Sequence, residues 1–170
     1  MADIQEAPLY DRDFYRWALD QARAVQALRD AAQRSGSNFP AELQALDCDN
    51  LIEELDGLAK GVRSELRKRI ATIVEHLAKL ELSPVREPHA GWRASVKRSR
   101  DDIAELLSDN PSLRREIPGI LAVPSVAKSA KIATEELIDR GEISVGTTPP
   151  TYSGAEILED WWPDQKGTDA

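Results

Sequence analysis

Five acidic residues lie close together at the start of a long apolar repeat, and carboxylates at this density could hold a metal ion. They are Asp47, Asp49, Glu53, Glu54 and Asp56. On a helix Asp49 and Glu53 share a face, because residues three or four apart are neighbours. A di-iron bundle, however, needs Glu-x-x-His pairs on two helices, and isoleucine stands three residues before His76. We therefore predict no metal site and no cofactor.

His76, Lys79 and Arg93 are a second set of side chains with chemical potential. His76 and Lys79 are three residues apart, so on a helix they lie near one another. Glu54 precedes His76 by 22 residues, which is about 33 Å along one helix, so these two cannot share a site on that helix. The candidate catalytic residues therefore form two separate groups. Glu54 belongs to one, and His76, Lys79 and Arg93 belong to the other.

The element that must position both groups is an apolar repeat without proline from Leu51 to Leu82. Its apolar residues advance in steps of three and four, the spacing of one helix face: Leu51, Leu55, Leu58, Val62, Leu66, Ile70, Ile73, Leu77 and Leu80. We predict a central helix over about residues 50–82, capped by Asp47 or Asp49. Gly57 and Gly61 interrupt it, and we expect a crossing helix or a ring such as Trp17 against them.

The flanking segments also predict helices. Asp11 or Asp13 can cap a first helix that runs to about Arg34. Residues 35–40 predict a turn, and residues 41–46 a short helical turn. A third helix is predicted over about 92–108, preceded by a loop in which His89 is exposed. Asn110-Pro111 is typical of a new helix start.

Beyond residue 111 the prolines divide the chain. Pro118 and Pro124 predict a short helical piece, a kink, and a helix from about Ser125 to Arg140, with Gly141 as its C′ residue. Residues 143–152 predict an extended segment, and Ser153 with Glu156 matches a capping box that opens a short helix. Trp161 and Trp162 follow as a candidate interaction surface. They either fold back onto their own bundle, which we favour, or clasp a second protomer.

Composition and charge limit the class of protein. The chain has 170 residues, few aromatic residues and a net charge of −8. Residues 60–100 hold 11 Lys and Arg against 4 Asp and Glu, whereas the remainder holds 11 against 26. The basic stretch is either neutralised by acidic neighbours, which we favour, or available to phosphate and nucleic acid. Nucleic-acid binding through residues 60–100 is our third hypothesis, because no aromatic residues alternate with the basic ones for base stacking.

The N-terminal residues lack the charged and apolar regions of a signal peptide. No stretch has the roughly 18 apolar residues of a membrane span, and the single Cys48 excludes an intramolecular disulfide. We expect a cytoplasmic protein with no membrane partner. We predict an all-α single domain over residues 1–170, with residues 1–9 flexible, a helical bundle around the central helix, and residues 143–170 folding back.

These landmarks together resemble a bacterial family known as domain of unknown function 29. The matching residues are spread over most of the chain: Tyr10-Asp11-x-Asp13-Phe14-x-x-Trp17, Leu46-Asp47, Leu51 to Leu55, Leu58, Ser64-Glu65, His76-Leu77-x-Lys79, Trp92-Arg93, Asn110 to Leu113 and Trp162-Pro163. The resemblance implies an all-helical fold in a bacterial cytoplasm, and it brings no catalytic residues. Pro118 and Pro124 depart from the family pattern, in which the helix continues.

The function hypotheses follow from what is absent. No nucleophile elbow, phosphate-binding glycine loop or Cys–His arrangement is present. This favours a non-enzymatic protein–protein interaction module that binds another protein or a second copy of itself as a homodimer. The alternative is an enzyme with a polar site between helices, near His76, Lys79 and Arg93 or near Glu53 and Glu54.

Overall fold

The computed structural model describes residues 7–35, 40, 43 and 45–165, and the regular elements of these residues are helices. They are α1 (Leu9–Arg12), α2 (Phe14–Ser35), α3 (Cys48–Leu82), α4 (His89–Asp109), α5 (Ile117–Leu121), α6 (Pro124–Asp139) and α7 (Gly154–Leu158), with 3₁₀ turns at Pro111–Glu116 and Pro163–Gln165. The predicted all-α fold around one long helix is confirmed. The predictions for residues 1–6, for the turn at 36–39, for residues 41, 42 and 44 and for residues 166–170 lie outside the described residues.

Helix α3 is the predicted central helix, and it has 35 residues. The carboxylate of Asp47 accepts hydrogen bonds from the backbone N–H of Asn50 at 3.3 Å and from its side-chain amide at 2.6 Å. Asp47 therefore satisfies one of the N–H groups that a helix start leaves without a partner. The helix ends at Leu82, since Pro84 disfavours a helical conformation in Ser83.

The described chain divides into two compact units. The first consists of residues 1–64 and 107–114, and the second of residues 65–106 and 115–170. Helix α3 contributes its residues up to Ser64 to the first unit and the rest to the second. The single domain of 170 residues stays a prediction.

Buried polar contacts hold the first unit at the start of α2. The Asp13 carboxylate accepts hydrogen bonds from the N–H of Arg16 at 2.9 Å and from the N–H and hydroxyl of Ser112 at 2.7 and 2.8 Å. The side-chain oxygen of Asn110 accepts the N–H of Tyr15 at 2.9 Å. Asp13 and Asn110 are both buried. The turn that follows α4 thus caps the first turn of α2, which the sequence did not predict.

An aliphatic core holds the second unit. Its fully covered side chains come from α3, α4, α5, α6 and α7: Leu66, Ile70, Ile73, Leu77, Val96, Ile120, Leu137 and Ile157. Burying a side chain of this size stabilises a fold by about 1.5–3 kcal/mol relative to leaving it exposed. The predicted apolar face of the central helix is therefore a core face in this unit.

The proline-rich stretch folds much as predicted. Helix α6 starts at Pro124, one residue before the predicted start, and ends at Asp139. Proline is favoured in the first turn, because the N–H that it lacks would have no partner there. Pro118 lies likewise in the first turn of α5. The kink between the two helices is thus set by Pro124.

Local signals at the C-terminal side are also confirmed. Gly141 has φ of +72°, and its N–H donates to the carbonyl of Ile138 while the N–H of Glu142 donates to that of Leu137. This pair of bonds is the Schellman motif that ends α6. Ser153 and Glu156 form the predicted capping box of α7.

Two predictions about side-chain surroundings are wrong. An added Cβ at Gly57 or at Gly61 would meet no described atom outside the backbone of α3 within 4 Å, so neither a described helix nor Trp17 lies against them. Trp17 instead contacts Tyr10 and Phe14, at ring distances of 4.8 and 5.6 Å. His89 is buried rather than exposed, because α4 begins at His89 and its ring packs on Trp92 at 5.4 Å.

Candidate functional site

The first half of α3, residues 48–64, presents apolar side chains to solvent. Leu51 is 37% exposed and Leu58 is 46% exposed, and both lie on one face of the helix, seven residues apart. Leu55 lies between them, Val62 lies one turn beyond Leu58, and both are half-buried. We call Leu51, Leu55, Leu58 and Val62 the leucine seam. Of residues 48–64, all of which the structure describes, only Ala59 is buried.

The acidic residues near this seam do not converge on a common point. Asp49 pairs with Arg29 of α2 at 2.6 Å, and Asp47 is the helix cap. Glu53 and Glu54 are exposed. Within the described residues no three His, Cys, Asp or Glu side chains come together as a metal site would require. Glu54 stays a candidate by sequence alone.

The second unit places Lys79 in a compact cluster of charged groups. The Lys79 ammonium contacts Glu75 at 2.8 Å and Glu136 of α6 at 2.6 Å, with only 9% of its side chain exposed. Arg140 also binds Glu136. Burial lowers the pKa of Lys79, but hydrogen bonds to Glu136 and Glu75 outweigh it, so the pKa lies above 10.5. The hydrogen bond from Lys79 lowers the pKa of Glu136.

His76 lies beside this cluster and is half-buried. Burial lowers its pKa below 6.5; the Glu75 carboxylate opposes this shift, and Lys79 adds to it. Its Nδ1 atom is buried and has no hydrogen-bond partner among the described residues. The structure thus brings His76 and Lys79 together as predicted from their spacing. The carboxylate that completes the cluster, Glu136, was missed, because it comes from a helix 57 residues further along.

Arg93 belongs to a different group of side chains. Its guanidinium pairs with Asp164 at 2.8 Å and lies over the ring of Trp162 at 4.7 Å. Arg100 lies over the same ring at 5.1 Å. Trp162 is only 7% exposed, so it is covered by its own chain. Trp161 is half-buried, with its ring 5.9 Å from that of Tyr152.

Arg100 also fixes the end of α7. It donates to the backbone carbonyls of Ile157 at 3.0 Å and of Glu156 and Trp161 at 2.9 Å. The carbonyls of Glu156 and Ile157 lie at the C-terminal end of α7 and have no helical partner, and a cation is favoured there by the helix dipole. Sequence reasoning missed this role, although basic residues near a helix end are a general signal for it.

Several cations of the basic stretch 60–100 are used within the fold. Arg69 pairs with Glu65 and Asp102, both at 2.7 Å, and Lys79, Arg93 and Arg100 have the partners given above. Others, such as Lys97 and Arg98, are exposed. No described helix has the length and apolar character to cross a bilayer.

Comparisons with known proteins agree with the fold. The chain resembles the crystal structure of an alpha-helical protein of unknown function from Rhodospirillum rubrum, with a TM-score of 0.66 and 21% identity, over 94% of this chain and 95% of that one. At this identity the likeness shows the fold alone. No curated protein matches the chain. Residues 9–162 match the family described as Domain of unknown function DUF29, and the chain therefore belongs to that family.

Proposed function

We propose that this protein is a non-enzymatic interaction module that associates with a second copy of itself through the leucine seam. The observation that carries this proposal is the exposure of Leu51 and Leu58 on one face of α3. Burying two such side chains would stabilise an interface, since apolar surface contributes about 25 cal/mol per Å² removed from water. The net charge of −8 favours solubility of the protein despite this exposed apolar face.

The spacing of the seam suits an antiparallel pair of helices. Its members follow steps of four, three and four, as at the core positions of a coiled coil. In an antiparallel pair about a two-fold axis, Leu51 would lie opposite Val62 of the second copy, and Leu55 opposite Leu58. The same register brings the same pairs together on both sides of the axis, as a closed dimer requires. A second copy therefore fits the seam with apolar partners throughout.

Of the two glycines of this helix, Gly61 is consistent with the same surface, whereas Gly57 lies on another face. Gly57 and Gly61 each cost about 1 kcal/mol relative to alanine inside a helix. Among the described residues, no atom outside the backbone of α3 itself lies within 4 Å of a Cβ added at either position. Gly61 borders the seam, where the missing side chain would let a second helix approach closely.

An enzyme is the weaker interpretation, because the candidate catalytic groups already have structural partners. The Lys79 ammonium is held between two carboxylates, and the Arg93 guanidinium pairs with Asp164. A catalytic lysine needs a lowered pKa to act as a base or nucleophile, whereas the pKa of Lys79 is raised. The charged groups near His76 in the described part of the chain are Glu75, Lys79 and Glu136, which are paired with one another, and Glu54 is exposed.

Light scattering across a concentration series tests the proposal. We expect the wild-type protein to change from monomer to dimer, and Leu58→Glu to remain monomeric because it buries a charge in the seam. The matched control is Ile132→Glu on α6, since Ile132 is 48% exposed but lies outside the seam. A wild-type monomer at all concentrations, or equal loss of dimer in both variants, would reject the proposal.

A mixing experiment tests the antiparallel register. Leu58 lies close to the proposed two-fold axis, so Leu58→Glu and Leu58→Lys chains should each be monomeric alone and form a heterodimer when mixed. If the chains paired through another surface, mixing the two variants would not increase the amount of heterodimer. Native mass spectrometry distinguishes the heterodimer by its mass.

A further inference from the structure

The second unit contains a pocket of about 160 Å³ that is lined mainly by apolar residues. Its walls come from Val74 of α3, from Leu121 of α5, from three residues of α6, from the segment 149–152 and from Ile157 of α7. Eight of the ten wall residues are apolar, and none carries a charge. Ala127 and Thr151 are exposed wall residues, so the cavity is open to solvent there.

Small and rigid side chains keep this space open. Helix α6 contributes Ala127 and Ala130, which are too short to reach across it. Pro149 and Pro150 form the opposite wall, and proline has a fixed φ and no N–H. The two prolines therefore present carbon atoms without a hydrogen-bond donor and cannot easily collapse inward. Protein cores are otherwise packed with few voids larger than a water molecule.

The wall segment is anchored at its C-terminal border. The Tyr152 hydroxyl donates to Glu81 of α3 at 2.8 Å. Burial, together with the Glu81 hydrogen bond, raises the pKa of Tyr152, so the phenol stays neutral. At Gly154 an added Cβ would lie 3.0 Å from Cδ1 of Leu121, which shows how closely the segment approaches α5. The cavity is thus preformed, as binding sites for small molecules generally are.

We propose that this cavity binds a small uncharged molecule with an apolar body, of the size of one aromatic ring or a short branched hydrocarbon. The size follows from volume, since an engineered apolar cavity of about 150 Å³ takes up benzene. The polarity follows from the walls: a charged ligand would lose its hydration and find no charged partner. The site lies wholly in the second unit and does not rest on the proposed self-association.

Toluene is a suitable probe, followed by the methyl resonances of Val74, Val126 and Ile157 in the full-length protein. We expect saturable shifts of these resonances, and at least tenfold weaker binding of benzoate. Ala127→Leu should weaken toluene binding at least tenfold by filling the opening. Ala130→Leu, from deeper in the wall, should have the same effect. Ala104→Leu on the exposed face of α4 is the matched control and should bind toluene as the wild type does.

Three outcomes would overturn the proposal. The first is the absence of saturable shifts up to the solubility limit of toluene. The second is equal binding of benzoate, which would contradict the apolar class of ligand. The third is equal weakening by Ala127→Leu and Ala104→Leu, which would show that toluene binds elsewhere. Because none of these measurements depends on dimer formation, the self-association proposal is judged independently.

Discussion

The two halves of helix α3 have the same apolar spacing but differ in what covers it. In residues 48–64 only Ala59 is buried. In residues 65–82 eight residues are buried: Leu66, Ile70, Ile73, Val74, Leu77, Ala78, Lys79 and Leu80. Periodicity therefore tells which face of a helix is apolar, whereas burial depends on how many neighbouring elements reach that face.

The two units also contain different kinds of stabilising contact. The second unit relies on aliphatic side chains, which gain stability from leaving water. The first unit contains hydrogen bonds of the buried side chains Asp13 and Asn110 beside apolar contacts such as that of Leu113. Hydrogen bonds contribute less per group but fix geometry, and removing one partner leaves the other unsatisfied. Substitutions in each half can test this difference.

Leu77→Ala should have the largest effect. Leu77 is fully buried, so its truncation leaves a cavity and should lower the free energy of unfolding by about 2–5 kcal/mol. Leu58→Ala in the other half should change it by less than about 0.5 kcal/mol. Urea denaturation at a concentration where monomers prevail measures both. Similar losses in the two variants would contradict the comparison.

Asp13→Ala should have the next largest effect. It removes the acceptor of three hydrogen bonds and leaves part-buried N–H groups of Arg16 and Ser112 without this acceptor. We expect a loss of about 1–3 kcal/mol in the free energy of unfolding. The control Asp11→Ala, at an exposed position two residues earlier, should be close to neutral. An Asp13→Ala protein as stable as the wild type would show that apolar packing also dominates the first unit.

His76→Gln should change how stability depends on pH. The pKa of His76 is lowered in the folded state, so the unfolded chain binds more protons near pH 6.5 and the wild type loses stability as the pH falls through that value. His76→Gln should lack this loss. Thermal unfolding of both proteins between pH 8 and pH 5 measures it. Parallel curves would show that His76 is not desolvated.

Gly57→Ala should have the smallest effect and the opposite sign. The site has room for a Cβ and lies off the leucine seam, so alanine should stabilise the helix by about 0.5–1 kcal/mol without altering association. Gly141→Ala is the control, and it should destabilise because φ there is +72°. Destabilisation by Gly57→Ala would reveal a neighbour at that face.

Local signals were predicted well because their physics is local. Asp47 as a cap, Gly141 as a C′ residue, and Ser153 with Glu156 as a capping box each depend on hydrogen bonds over a few residues. Contacts between distant segments were not predicted. Lys79 contacts Glu136, and Arg100 contacts the end of α7. Each contact joins residues far apart in the sequence, and nothing in their spacing indicates it.

The sequence by itself determined the all-α class, the length of the central helix, most helix ends and the family. These follow from periodicity, capping residues and prolines, which act within one or two helical turns. Only the tertiary structure decided which parts of the apolar repeat are covered, where the cations find partners, and that a cavity remains behind Pro149 and Pro150. Those properties depend on which elements meet, and side chains far apart in the chain decide that jointly.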